Sequence, residues 1–432
     1  MLRKAPDVER RTFLALLALP AVAALLEGCG GGDENATTGA TAVRSDATRV
    51  LADPSLAGVA TTSLNGFGAS LYRVLAADRP GVNLVVSPVS IAFALAMTSV
   101  GARGTTLDQM LETLEVVDPV GIHRSMNASI AQLDARTRGS GDDEVRLEIT
   151  NSLWGQSDLR FEAAFLDVLA AEYGVGVQLI DFRADAEVAR AAINEWVGDA
   201  TAQRIPELLS EGSITDATRL ALVNAIHLKA PWAVPFSRDA TTDAAFTLGD
   251  GTVVQVPTMV GGGEYPYASG DGWQAVELPY AGDDLAMVVF LPEEGFLELF
   301  ESIFLVTDAT QYFESRPVSL RLPRWDTGSA LSLSDMLSTM GMPTAFSDDA
   351  DFTGITTGTS LSIGTVVHQA NITVDEDGTE AAAATAVEIS TTAAPDEVEP
   401  IDFVVDRPFV FVVRDRPTGA VLFLGRVADP LE

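Results

Sequence analysis

The chain has 432 residues, 47% of them hydrophobic, which is enough to bury one large core or two smaller ones. Its 61 acidic residues outnumber its 27 lysines and arginines, so the formal net charge is -34. A polyanion is repelled by nucleic acid and by acidic lipid head groups, and both classes of partner are disfavoured.

Cysteine and histidine are scarce, with one cysteine at Cys29 and three histidines at His123, His227 and His368. A single cysteine excludes an intramolecular disulfide. The histidines are far apart in the chain and lack the spacing of zinc ligands, so we expect no metal and no cofactor.

Residues 1–28 are predicted to be an export signal. Basic residues precede an apolar run of about 14 residues, Phe13–Leu26, which is short for a membrane span but suits a signal peptide. The sequence RRTFL at 10–14 resembles a twin-arginine signal. The sequence LEGC at 26–29 resembles a bacterial lipobox and predicts lipidation of Cys29, although Glu27 replaces the usual small residue. The alternative is a cleaved signal with an incidental cysteine.

Residues 29–50 are predicted to be a flexible tether, because they are rich in Gly, Thr, Ala and Ser and cannot bury a core. The folded domain is predicted to cover 51–432. Its first elements are a strand at Asn83–Val86 and a helix with Ser87 as N-cap and Pro88 in the first turn. This helix is apolar on nearly every face, which indicates burial.

Helices dominate the first half of the domain and strands the second half, which favours an α+β fold in one large domain. The further predicted helices are Thr106–Val116, Phe161–Tyr173 ending at Gly174, and one marked by Val188, Ile193, Trp196 and Val197. The predicted strands are Leu220–Val223, Ala275–Tyr280, Leu285–Leu291, Val318–Leu322, Phe409–Val413 and Val421–Leu424.

Motifs for enzyme catalysis are missing. The chain has no Gly-x-Ser-x-Gly nucleophile elbow and no phosphate-binding loop, so a hydrolase is disfavoured and we do not expect an enzyme.

Several separate, colinear blocks resemble the serpin family over roughly 56–430. The blocks are NLVVSPVSI at 83–91, GARGTT at 101–106, LVNAIHLKAPW at 222–232, ELPY at 277–280, a hinge-like segment at 375–385, RPF at 407–409 and LFLGR at 422–426. The resemblance implies three β-sheets with about nine helices and an exposed reactive loop at about 376–400. It further implies a monomer that inhibits serine or cysteine endopeptidases through a covalent acyl complex with the target.

The loop has the alternation that a strand entering a sheet requires. One face would carry Thr379, Ala381, Ala383, Thr385, Val387 and Ile389, which are small or apolar and uncharged; the other would carry Glu380, Ala382, Ala384, Ala386, Glu388 and Ser390. Small neutral side chains are needed to enter a close-packed sheet. The pattern favours an inhibitor over a non-inhibitory serpin that acts as a surface binding protein.

The resemblance places the reactive bond about fourteen residues after the hinge glycine, Gly378, which predicts Thr392–Ala393, with Thr391 or Ala393 also possible as the residue before the cut. These side chains are small, and no Lys or Arg lies between Asn371 and Asp406. The pattern disfavours trypsin-like targets and favours elastase-like or subtilisin-like proteases, with a glutamate-specific enzyme at Glu388 as the weaker alternative. No heparin-like activator is expected, because residues 105–118 carry no basic cluster.

The resemblance also assigns roles to residues outside the loop. Ser87, Ser90, Asn224 and His368 match the region where the sheet opens, and Trp232 matches its upper end. Glu376, Gly378 and Thr379 begin the hinge, and Arg324 with Glu376 matches an ion pair that would contribute about 0–1 kcal/mol if exposed. We expect an exported, cell-surface or secreted protein whose membrane contact is limited to a lipid on Cys29.

Overall fold

The computed structural model describes residues 41–141, 144–200, 207–303, 309–379 and 399–432. These residues form eight α-helices and sixteen strands. The helices are α1 (Ala57–Asp78), α2 (Pro88–Ser99), α3 (Gly104–Thr113), α4 (Ile122–Asp134), α5 (Ala163–Val168), α6 (Ala186–Ala200), α7 (Leu297–Ile303) and α8 (Ser334–Met340). The strands are β1 (Thr41–Val43), β2 (Leu84–Val86), β3 (Arg146–Gln156), β4 (Val177–Ile180), β5 (Leu220–Pro231), β6 (Thr242–Thr247), β7 (Val253–Gly270), β8 (Trp273–Pro279), β9 (Leu285–Pro292), β10 (Glu314–Pro323), β11 (Trp325–Ser332), β12 (Thr365–Val374), β13 (Gly378–Thr379), β14 (Ile401–Val404), β15 (Phe409–Asp415) and β16 (Val421–Val427).

A seven-stranded sheet positions the site, with strand order β1-β4-β3-β5-β13-β12-β11. Side chains of β5 alternate between its two faces, as in any strand. Leu222, Ile226 and Leu228 face the main core, whereas Ala221 and Val223 pack on the other face in a second cluster with side chains of α6. Both faces are therefore buried, which explains why the sequence of β5 is apolar almost throughout.

The second sheet follows the order β14-β10-β7-β8-β9-β15-β16-β2, with β6 also paired to β7. The long strand β7 pairs with β6 over residues 253–258, with β10 over residues 258–267 and with β8 over residues 267–270. Two of the three predicted sheets are thus continuous through one strand.

Helix α2 begins as the sequence predicts. The Ser87 hydroxyl accepts the backbone N–H of Ser90, and Pro88 occupies the first turn. Every residue of α2 is buried, in agreement with its lack of a polar face.

Part of the predicted tether has defined structure instead. Thr41–Val43 forms β1, which pairs antiparallel with Val177–Leu179 at the edge of the seven-stranded sheet. The backbone carbonyl of Val50 accepts hydrogen bonds from Arg124 and Asn127. The composition of these residues indicated a tether because they cannot bury a core. A strand at the edge of a sheet can form without a buried core, because backbone hydrogen bonds to its neighbour are sufficient. The structure therefore departs from the predicted tether at residues 41–43, which form a strand.

Candidate functional site

A buried polar cluster lies at the centre of the seven-stranded sheet. Its members are Ser87, Ser90, Asn224 and His368, all with no exposed surface. His368 on β12 lies opposite Asn224 on β5, and its Nδ1 is hydrogen-bonded to Asn224 Oδ1. Its Nε2 accepts the backbone N–H of Ser87 at 3.0 Å. Because Nε2 accepts a hydrogen bond, the ring is neutral and Nδ1–H donates to Asn224.

Burial lowers the pKa of His368 to about 3, so the ring stays neutral near pH 7. The cluster extends to β3, because the Ser90 hydroxyl donates to Asn151 Oδ1 at 3.4 Å and Asn151 lies opposite Asn224. Sequence analysis did not single out Asn151. Three neighbouring strands and the start of α2 are therefore joined by neutral hydrogen bonds, each contributing about 0.5–1.5 kcal/mol.

A tight turn at the upper end of β12 reverses the chain. The Asp375 carboxylate accepts the backbone N–H groups of Asp377, at 2.9 Å, and Gly378, at 3.3 Å. Gly378 has a φ of 154°, and a Cβ there would lie 2.2 Å from the carbonyl oxygen of Ala230. Only glycine fits this close approach.

The chain then enters the sheet between β5 and β12. Thr379 pairs with Ala230 on one side and Val374 on the other, and only 1% of its surface is exposed. Its Oγ1 lies 2.6 Å from the hydroxyl oxygen of Tyr280. The expectation of a loop exposed from Glu376 onward is therefore wrong for residues 376–379, because these residues already occupy the top of the sheet.

The predicted ion pair anchors this segment. Arg324 Nε donates to Glu376 Oε1 at 2.8 Å, and the Thr241 hydroxyl is bonded to the same oxygen. Burial is the largest influence on the pKa of Glu376 and opposes ionisation, but the hydrogen bonds from Arg324 and Thr241 outweigh it and lower the pKa. The Glu376 side chain has no exposed surface. The Arg324 side chain is 38% exposed, so the pair is half-buried and lies between the exposed and the fully buried cases.

Trp232 lies at the upper end of the sheet, as predicted. Its Nε1 donates to the carbonyl of Asp375 at 2.9 Å, and its backbone N–H donates to the carbonyl of Asp377 at 2.8 Å. The indole stacks on the ring of Tyr280 with 4.6 Å between centroids and a 6° interplanar angle. Arg238 forms an ion pair with Asp377.

Comparison with known proteins identifies this arrangement. Residues 62–430 match the family model described as Serpin (serine protease inhibitor). The chain belongs to the serpin family. It is 36% identical over 380 residues to the leukocyte elastase inhibitor of Sus scrofa, which covers 84% of this chain and 97% of that protein.

Two further relatives broaden the comparison. An uncharacterized serpin-like protein of Thermococcus kodakarensis is 36% identical over 371 residues, covering 85% of each chain. The solved structure of uncleaved ovalbumin has a TM-score of 0.76 and 27% identity, covering 86% of this chain and 99% of that one. The predicted α+β serpin fold is confirmed, and the family supports protease inhibition, in general terms, as the class of function.

Several predicted site residues of this serpin lie outside the described residues. They are Cys29, the hinge residues Ala381, Ala382, Ala383, Ala384 and Thr385, and the reactive-bond candidates Thr391, Thr392 and Ala393. In the described parts of the chain, none of the helices combines the length and apolarity needed to cross a membrane.

Sequence analysis missed three residues that contact the hinge: Arg238, Thr241 and Tyr280. Their contacts join positions about 100 or more residues apart, and no local pattern marks such pairs. Tyr280 ends the ELPY block, which was the available signal.

Proposed function

We propose that this serpin is a suicide-substrate inhibitor of serine endopeptidases, and of cysteine endopeptidases where their nucleophile attacks the same bond. The observation that carries the proposal is the position of Thr379 between β5 and β12. Thr379 therefore lies on the line along which a new central strand would form.

The register of β13 supports insertion of the small, neutral face of the loop. Continuing antiparallel from Thr379 opposite Ala230 would bring the loop residues opposite core-facing residues of β5. The resulting pairs are Ala381 with Leu228, Ala383 with Ile226, Thr385 with Asn224 and Val387 with Leu222. Glu380 would instead lie opposite Lys229, on the other face and beside an opposite charge.

Insertion requires separation of β5 from β12. Their direct parallel pairing runs from Ala221 with Thr365 to Ile226 with Ala370. An inserted strand would replace this one ladder with two, so the inserted state has more backbone hydrogen bonds. The uncut chain is therefore kinetically trapped rather than at its free-energy minimum.

Coupling to the target follows from acyl-enzyme chemistry. The serine oxygen of the protease attacks the loop carbonyl, the peptide C–N bond breaks, and the amine leaves with a proton from the protease histidine. The loop is then joined to the protease by an ester. Insertion of the freed loop carries the protease along the sheet before water hydrolyses that ester.

Elastase-like or subtilisin-like enzymes are the proposed targets. The residues around the predicted cut are small, and the segment from Asn371 to Asp406 contains no basic residue. The relative from Sus scrofa is named an elastase inhibitor, which agrees with a target that cuts after small side chains.

The test is incubation of the mature protein with pancreatic elastase and with subtilisin. We expect a covalent complex that survives denaturing electrophoresis. Mass spectrometry of the released C-terminal fragment should show that it begins at or near Ala393. Complete cleavage with full protease activity retained would contradict inhibition and favour a non-inhibitory surface binding protein.

We also propose export and lipidation at Cys29, supported by the signal-like and lipobox-like sequence of residues 1–29. The intact protein expressed in a bacterium should partition into the detergent phase of a Triton X-114 extract, whereas Cys29→Ala should partition into the aqueous phase. Equal partitioning of the two proteins would contradict the anchor.

A further inference from the structure

Tyr280 is held rigidly at the upper end of the sheet. Its ring has no exposed surface and stacks on Trp232. Its backbone N–H donates to the carbonyl of Leu285 at 2.9 Å, and the next N–H, of Ala281, donates to the carbonyl of Pro231 at 2.8 Å. The hydroxyl of Tyr280 therefore occupies a fixed position beside the end of β5.

The hydroxyl of Tyr280 contacts Thr379, the hinge residue that pairs with both β5 and β12. Its oxygen lies 2.6 Å from Oγ1 of Thr379, and both side chains are excluded from water. The direct pairing of β5 with β12 ends at Ile226 and Ala370, below this point. Thr379 thus lies between the two strands and keeps them apart at this level. Its side chain is hydrogen-bonded to Tyr280.

We propose that Tyr280 is a positioning residue that holds the hinge inserted before the loop is cut, so that insertion begins from a formed nucleus. The inference rests on the proposed inhibitory function. Starting a new strand costs chain entropy before many hydrogen bonds reward it. A hinge already paired on both sides has met that cost, so more of the acyl-enzyme is trapped before it is hydrolysed.

Two isosteric variants remove the bond from opposite sides. Tyr280→Phe keeps the ring on Trp232 and removes only the hydroxyl, and Thr379→Val keeps the shape of the side chain. Thr379→Ser retains a hydroxyl and is the conservative rescue. Tyr267→Phe is the matched control, because its hydroxyl contacts Gln274 on the neighbouring strand instead of the hinge.

The first measurement is the stoichiometry of inhibition with elastase or subtilisin. We expect Tyr280→Phe and Thr379→Val each to raise the ratio of cleaved to complexed inhibitor about fivefold, the effect of one buried neutral hydrogen bond. The double variant should be no worse than either single one, since both lose the same bond. Thr379→Ser and Tyr267→Phe should match the wild type. An unchanged ratio in Tyr280→Phe, or additive effects in the double variant, would overturn the proposal.

The second measurement does not depend on inhibition. Hydrogen exchange of the uncut protein, followed by mass spectrometry of a peptide covering residues 375–379, reports the fraction of molecules with an open hinge. We expect protection in the wild type and about fivefold faster exchange in Tyr280→Phe, with Tyr267→Phe unchanged. Unprotected exchange in the wild type would refute an inserted hinge. Protection lost in Tyr280→Phe, in a protein that traps no protease, would sustain the positioning role and reject the inhibitory function instead.

Discussion

The seven-stranded sheet is held together differently at its centre and at its top. At the centre, β5 and β12 pair directly, and the neutral imidazole of His368 links them through Asn224. At the top, β13 separates the two strands, and the chain that leads into it is anchored by the ion pair between the buried Glu376 and the partly exposed Arg324.

The difference indicates which part of the sheet yields. A neutral hydrogen bond contributes about 0.5–1.5 kcal/mol and is replaced when a new strand enters. Removing Arg324 would leave the buried Glu376 carboxylate without its charged partner, at a cost of about 1–3 kcal/mol. Under the proposed mechanism, the centre would open while the top stays in place.

Thr379→Arg should have the largest effect of the substitutions considered, because it acts at the top of the sheet. The side chain at position 379 is buried between two strands, and an unpaired guanidinium there would cost several kcal/mol. The hinge would remain outside the sheet, and the protein would be cleaved as a substrate. We expect the covalent complex with elastase to fall at least tenfold, as measured by denaturing electrophoresis.

The matched control for this substitution is Thr242→Arg, at an exposed threonine in β6. Its yield of complex should equal that of the wild type. Undiminished trapping by Thr379→Arg would mean that insertion does not pass through position 379.

Arg324→Met tests the anchor at the top. It leaves the buried Glu376 carboxylate with the Thr241 hydroxyl but no guanidinium beside it, so we expect a loss of about 1–3 kcal/mol. The measurement is the thermal midpoint at a fixed scan rate, since the unfolding of a trapped state depends on rate. Arg316→Met is the control, because Arg316 and Glu314 form an exposed pair expected to contribute about 0–1 kcal/mol. Equal thermal midpoints for the two variants would mean that the Arg324–Glu376 pair contributes no more than the exposed Arg316–Glu314 pair.

Much of the centre could be predicted from sequence. The start of α2 is a local signal, with Ser87 as N-cap and Pro88 in the first turn. The apolar run of β5 indicates a strand covered on both faces. The resemblance to serpins then linked Asn224 and His368, which lie 144 residues apart and do form a hydrogen bond.

The top could not be predicted in the same way. Whether Thr379 is inside or outside the sheet depends on its contact with Tyr280, and no local pattern encodes a contact between residues 99 positions apart. The burial of Glu376 depends likewise on Arg324 and Thr241, which come from other parts of the chain. Local sequence determines turns and alternation, whereas the state of the hinge is set by tertiary packing.

The pH dependence of stability tests the bonding at the centre of the sheet. The pKa of His368 is about 3 in the folded protein, against an ordinary value of 6.5. Below pH 6.5 the unfolded chain therefore binds a proton that the folded chain does not, and stability falls by about 1.4 kcal/mol per pH unit. Burial also lowers the pKa of His123, to about 4, so this histidine adds a similar slope.

We expect His368→Gln to lose about half of the slope between pH 6 and pH 5, measured as the urea midpoint of unfolding at each pH. Carboxylates contribute little in this window, because their ordinary pKa values lie below it. His123→Gln, far from β12 in the chain, should lose a similar share while leaving the centre of the sheet intact. Only His368→Gln should also speed insertion of a synthetic peptide with the sequence of residues 379–389, because it alone removes a bond between β5 and β12. A slope equal to that of the wild type would mean that the imidazole of His368 is not held neutral, and that the centre is not the weakly bonded part of the sheet.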